Sequence, residues 1–149
     1  MRYVPFYAIL ISWILGFTFG GNFKFPIDFL SMPLNTGLVL TGFTSGLMFF
    51  GVGSLPLVFN RGMEDFFFLN NLDLNDPFTF ALYAFFRLLL TLGLINACSG
   101  GFLLSTNVIK ELFGSGKDDE LMEWAIHLSI SSFAIVIAVS LMQSWLKNF

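Results

Sequence analysis

The sequence predicts an all-α integral membrane protein, with four transmembrane helices joined by short loops. Three observations predict it. Of the 149 residues, 56% are hydrophobic and only 11% are charged, against about 25% charged in an average soluble domain. The mean hydropathy is +0.79. The apolar residues gather into four segments, each long enough to cross about 30 Å of hydrocarbon. Such a composition cannot build an ordinary wet surface, so residues 1–149 are read as a single membrane domain.

The first span covers residues 3–20, YVPFYAILISWILGFTFG. Met1 and Arg2 make a weak charged leader, and the run exceeds the ~7–15 apolar residues of a signal peptide. No small-residue cleavage site follows, so the segment is expected to stay as a helix. The loop after it, NFKFPIDFLSMPLN, is itself apolar and is expected to lie in the interface on Phe23, Phe25 and Phe29.

The second span covers residues 36–59 and contains TGFTSGLMFFGVGS. Gly42 and Gly46 form a small-xxx-small pair and Gly53 extends the stripe, a pattern that lets helix backbones approach closely in lipid. Pro56 and the nearby glycines are expected to kink or end this helix. GVGS is no phosphate loop, because it lacks the lysine and the preceding strand. The next loop, NRGMEDFFFLNNLDLNDP, alternates Glu64, Asp65, Asp73 and Asp76 with the run Phe66 to Phe68. It reads as an interfacial turn or a docking surface.

The third span covers residues 77–104. Asp76 followed by Pro77 is a good helix start, a capping acid before a proline at the first helical position. A short amphipathic turn is expected around Val108 to Phe113. Glycines at 114 and 116 then break the chain. The fourth span covers residues 120–146, with Asp118, Asp119 and Glu120 at the end where the helix dipole favours negative charge. Trp124 and Trp145 bracket it; 21 residues at about 1.5 Å each is roughly 31 Å, the thickness of the hydrocarbon core. Both are expected to be interface anchors.

Arg87 is the anomaly. It lies ten residues into the third span, about 15 Å deep, where a charge costs roughly 2.5–3.5 kcal/mol on insertion scales. Tyr83, Thr91 and Cys98 share its face, and Gly93, Asn96 and Gly100 fall on the opposite one. Neither face suits lipid. Four helices do not enclose one of their own, so a partner protein is expected on one side. Arg87 is expected to pair with a second subunit, with headgroups, or with Asp73 or Asp76. His127 and Ser131 share a stripe with Ala134 and Ala138 on the fourth span. His127 is the single histidine and reads as a hydrogen-bonded residue near the interface.

Several chemistries find no support. All ten carboxylates are assigned to loops or helix ends, so no proton relay is legible. One His and one Cys do not make a metal site, and no nucleophile–base pair is visible. No catalytic residue, metal or cofactor is assigned, although bound lipid is expected. No basic run invites nucleic acid. The Lys and Arg count is three against three across the four-span plan, and Arg87 tips both termini to the inside. The sequence thus points to a non-catalytic structural or accessory subunit of a larger membrane complex. The expected setting is an energy-transducing inner membrane, bacterial cytoplasmic or organellar, in a respiratory-type assembly. The alternative is a small self-sufficient transporter or channel, as a single chain or a homo-oligomer, with Arg87 and Asn96 lining a wet path. A membrane enzyme or haem protein ranks last.

Overall fold

A computed structural model describes residues 3–20, 35–71, 77–114, 116 and 118–146. Among them are five α-helices: α1 (Val4–Phe19), α2 (Asn35–Leu47), α3 (Ser54–Asn71), α4 (Pro77–Leu112) and α5 (Asp119–Leu146). One turn of 3-10 helix, Met48–Gly51, follows α2. The described residues contain no strand. The all-helical expectation therefore stands, but the four-span plan does not.

Among the described residues, two helices are long and apolar enough to cross a membrane, α4 over Phe80–Leu112 and α5 over Asp119–Trp145. α1 is apolar but has 16 residues, about 24 Å of rise. The second segment is the main correction. Residues 36–59 are not one helix. α2 ends at Leu47, Gly51 adopts a left-handed φ of 78°, and α3 begins at Ser54 with Pro56 in its first turn. Only glycine takes that φ without strain, and proline fits the first turn, where its missing N–H costs nothing. The chain reverses instead of continuing.

Packing shows the reversal. On α2, Gly42 lies against Leu94 and Cys98, while Gly46 lies against Cys98, Gly101 and Phe102. So α2 runs in the same direction as α4. On α3, Val58 packs with Leu94 and Ile95, and Asp65 binds Arg87. So α3 runs back down α4. The turn between them sits at Gly51 against the Phe102 ring, ten residues before the end of α4 and thus about 15 Å short of it.

α1 runs alongside α3 in the same direction. Ser12 Oγ donates to the Leu55 carbonyl at 2.8 Å, Gly16 meets the Phe59 backbone, and Gly20 meets Met63 and Phe66. A side chain at Gly16 would collide with the Phe59 carbonyl oxygen, and one at Gly62 with the Trp13 carbonyl oxygen. These two glycines set the close α1–α3 crossing.

The five helices alternate in direction. Tyr3 stacks edge-on against Trp124 at 5.3 Å, at the start of α5, so Tyr3 and Trp145 lie at opposite ends of the bundle. A four-span plan would have put them at one end.

α4 is the central helix. Leu94, Ala97, Cys98 and Ser99 have no exposed surface, and 72% of its most apolar stretch is buried. It also continues past residue 104 to Leu112, absorbing most of the turn expected at Val108 to Phe113. α5 covers one side of α4 and is itself only 22% buried over its most apolar stretch. Its start is capped: Asp118 Oδ1 accepts from the Leu121 amide at 3.2 Å, the reach of an N-cap side chain to the third helical residue. Phe23, Phe25, Phe29, Asp73 and Asp76 lie outside the described residues.

Candidate functional site

α3 carries Arg61, Glu64 and Asp65 at i, i+3 and i+4, a spacing that stacks them on one face. That face meets α4 at Arg87 and Thr91, themselves four apart. α1 contributes Trp13. The six side chains form one network. Asp65 Oδ1 accepts from Arg87 Nε at 2.7 Å and stands 3.3 Å from Arg61 Nε. Asp65 Oδ2 accepts from Thr91 Oγ1 at 2.7 Å and from Trp13 Nε1 at 2.9 Å. Thr91 Oγ1 in turn accepts from Arg61 Nε at 3.2 Å. Glu64 bridges the two guanidiniums, 3.2 Å from Arg61 Nη1 and 3.6 Å from Arg87 Nη2. The Phe68 ring covers Arg87, 4.4 Å from its guanidinium carbon, a cation–π contact that shields the charge.

Two guanidiniums face two carboxylates, so the cluster is formally neutral. Asp65 is its hub and is 1% exposed. Three hydrogen bonds reach its two oxygens, from Arg87, Thr91 and Trp13, and Arg61 adds a close opposite charge. This is the geometry that makes a buried charge tolerable.

Arg87 is thus sheltered by its own chain. Within the described residues Arg87 pairs with Asp65 and Glu64; Asp73 and Asp76, also expected as partners, lie outside them. Glu64 and Asp65 are helical and inward-facing, which corrects their assignment to a loop. The signal in the sequence was the i, i+3, i+4 spacing of Arg61, Glu64 and Asp65.

The other singled-out residues divide among different surfaces. Thr91 belongs to the network, whereas Tyr83 is 51% exposed. Asn96 Nδ2 donates to Ser131 Oγ at 3.1 Å across the α4–α5 seam. Gly93 faces Val136 and Ile135, and Gly100 faces Ser129 and Ala125, all on α5. Gly42 and Gly46 pack on α4, but Gly53 lies in the α2–α3 turn near the Ser45 carbonyl and extends no helical stripe. His127 is 69% exposed, 3.5 Å from Glu123 on the same outer face of α5. Trp124 meets Tyr3 and Trp145 is exposed. Among the described residues no three His, Cys, Asp or Glu side chains converge as a metal site would require. No protein-family model, curated protein or solved structure matches the chain.

Proposed function

We propose that the chain is an integral membrane protein that works by helix packing, as a non-catalytic subunit of a larger membrane assembly. The outer face of α5 carries this reading. The helix has 28 residues, about 42 Å, and its own chain covers little of it. Its exposed face mixes Ile130, Ile137 and Leu141 with the small residues Ala134 and Ala138 and the polar pair Glu123 and His127. Small and polar residues on a membrane helix favour contact with another helix over lipid. The enclosure of α4 removes it as a reason to expect a partner, so the expectation moves to α5. The buried ionic network supports the same reading, since its charges hold helices together.

Photo-crosslinking in native membranes tests it. A crosslinker at Ala134 is expected to trap a discrete protein partner, and one at Ile14, exposed on α1, is expected to trap lipid. Lipid alone at both positions, together with a lone monomer in mild detergent, overturns the reading.

The network gives the transporter alternative its one specific support, because charges inside a membrane bundle often mark ion or substrate paths. Arg87 and Asn96, however, lie on opposite sides of α4, so they do not line one path. Reconstituted flux that survives Arg87→Ala unchanged removes the network from any transport mechanism.

A further inference from the structure

The α2–α3 turn stops short of the end of α4, and the space above it is a cavity of about 480 Å³. Ile9 of α1 and Phe102 of α4 form its walls, and Val52 and Leu55 its floor. Polar groups occur only toward one end, at Thr106 and Lys110. Phe102 to Lys110 is eight residues, so the apolar depth below the amine is about 12 Å. The volume is that of a small-molecule site, about 300–1,000 Å³.

Water does not suit this space. A buried water needs two to four polar partners, and the Thr106 hydroxyl already donates to the Phe102 carbonyl at 2.9 Å. The floor opens outward, with Val52 63% exposed. In a bilayer, the neighbour at that depth is hydrocarbon. The rim adds a charge pattern. Lys110 Nζ lies 2.8 Å from Asp118 Oδ2, and both side chains keep over a third of their surface exposed. Glu111, the next residue in sequence after Lys110, is a further exposed acid. A cation beside a carboxylate complements a headgroup that carries both signs, whereas an anionic headgroup would meet the surrounding acids.

We propose that this cavity seats one acyl chain of a zwitterionic phospholipid, with its phosphate at Lys110 and its cationic group at Asp118. The proposal rests on the membrane half of the reading above and is independent of the subunit half.

Native mass spectrometry of the full chain in dodecyl maltoside tests it, with dipalmitoyl phosphatidylcholine and dipalmitoyl phosphatidylglycerol as probes. Wild type is expected to retain one phosphatidylcholine, and phosphatidylglycerol about threefold less. Ala8→Trp, which fills the cavity from α1, is expected to lower retention about tenfold. Leu55→Trp does the same from the floor and serves if the first variant loses its helical circular dichroism. Tyr83→Trp, at an exposed position on α4 outside the cavity, is expected to retain lipid normally. Equal retention of the two lipids, retention unchanged in the filled variant, loss in Tyr83→Trp, or no retained lipid each overturns the site. None of these outcomes touches the crosslinking result at Ala134, so the two readings fail separately.

Discussion

The two sides of α4 hold their neighbours by different means. Toward α3, the contact is ionic: Arg87 and Thr91 meet Arg61, Glu64 and Asp65 in a neutral cluster. Toward α5, it is largely steric: Gly93 and Gly100 bring the backbones together, and Asn96 donates a hydrogen bond to Ser131 across the seam. Close packing is adaptable, because a helix can tilt to admit a methyl group. A buried charge cannot adapt, because its alternative is an unpaired ion in a medium of low dielectric. The α3 side should therefore be brittle and specific, and the α5 side graded.

The largest expected effect follows from removing the hub. Asp65→Ala leaves two guanidiniums against Glu64 alone and should cost about 3–5 kcal/mol, read as a lower midpoint in denaturant-titrated detergent. A double variant sharpens this: Asp65→Leu with Arg87→Met leaves the neutral pair Arg61 and Glu64 and should recover most of the loss, as apolar replacements of buried pairs often do. If Asp65→Ala proves as mild as a seam variant, the ionic side is not brittle and the contrast fails.

On the α5 side, Gly100→Leu should cost about 1–3 kcal/mol by overpacking, because a side chain there presses on Ser129 Oγ and the Ala125 carbonyl. Asn96→Ala should cost less, about 0.6 kcal/mol, the average for interhelical hydrogen bonds in membrane proteins. A cost for Asn96→Ala near that of Asp65→Ala would mean that the seam is polar in character after all.

The smallest effect is expected at the α4–α5 turn. The hydrogen bond from Lys110 holds the Asp118 carboxyl below its ordinary value. A depressed carboxyl pKa contributes stability above the unfolded value, and that contribution is lost as pH falls through the folded one. The midpoint should thus drop slightly from neutral pH to about pH 3. Asp118→Asn should flatten this small component and leave the α3–α4 network intact.

The parts of this fold that were legible in the sequence are those that local chemistry decides. Asp118 to Glu120 marked the start of α5, and Pro77 the start of α4. Arg87 within an apolar run called for an opposite charge on a neighbour. What hydropathy could not decide was whether residues 36–59 continue or reverse, since a hairpin buried in a bundle is as apolar as a span. The punctuation was present in Gly51, Gly53 and Pro56, yet glycine and proline also occur inside membrane helices. The acids of α3 were misplaced for a related reason. Charge suggests a loop, and only their spacing revealed a helix face. Asp65 and Arg87 are 22 residues apart, and no local pattern joins them.

The division of the network between two helices bears on how the chain is assembled. Arg61, Glu64 and Asp65 leave α3 with a formal charge of −1, and Arg87 leaves α4 with +1. At roughly 2.5–3.5 kcal/mol for a central charge, a lone α3 faces a steep penalty for leaving water. Neutrality arrives only when α4 is synthesised. On the membrane reading, these two helices leave the translocon as a couple, and a chain halted before residue 87 would keep α3 at the surface.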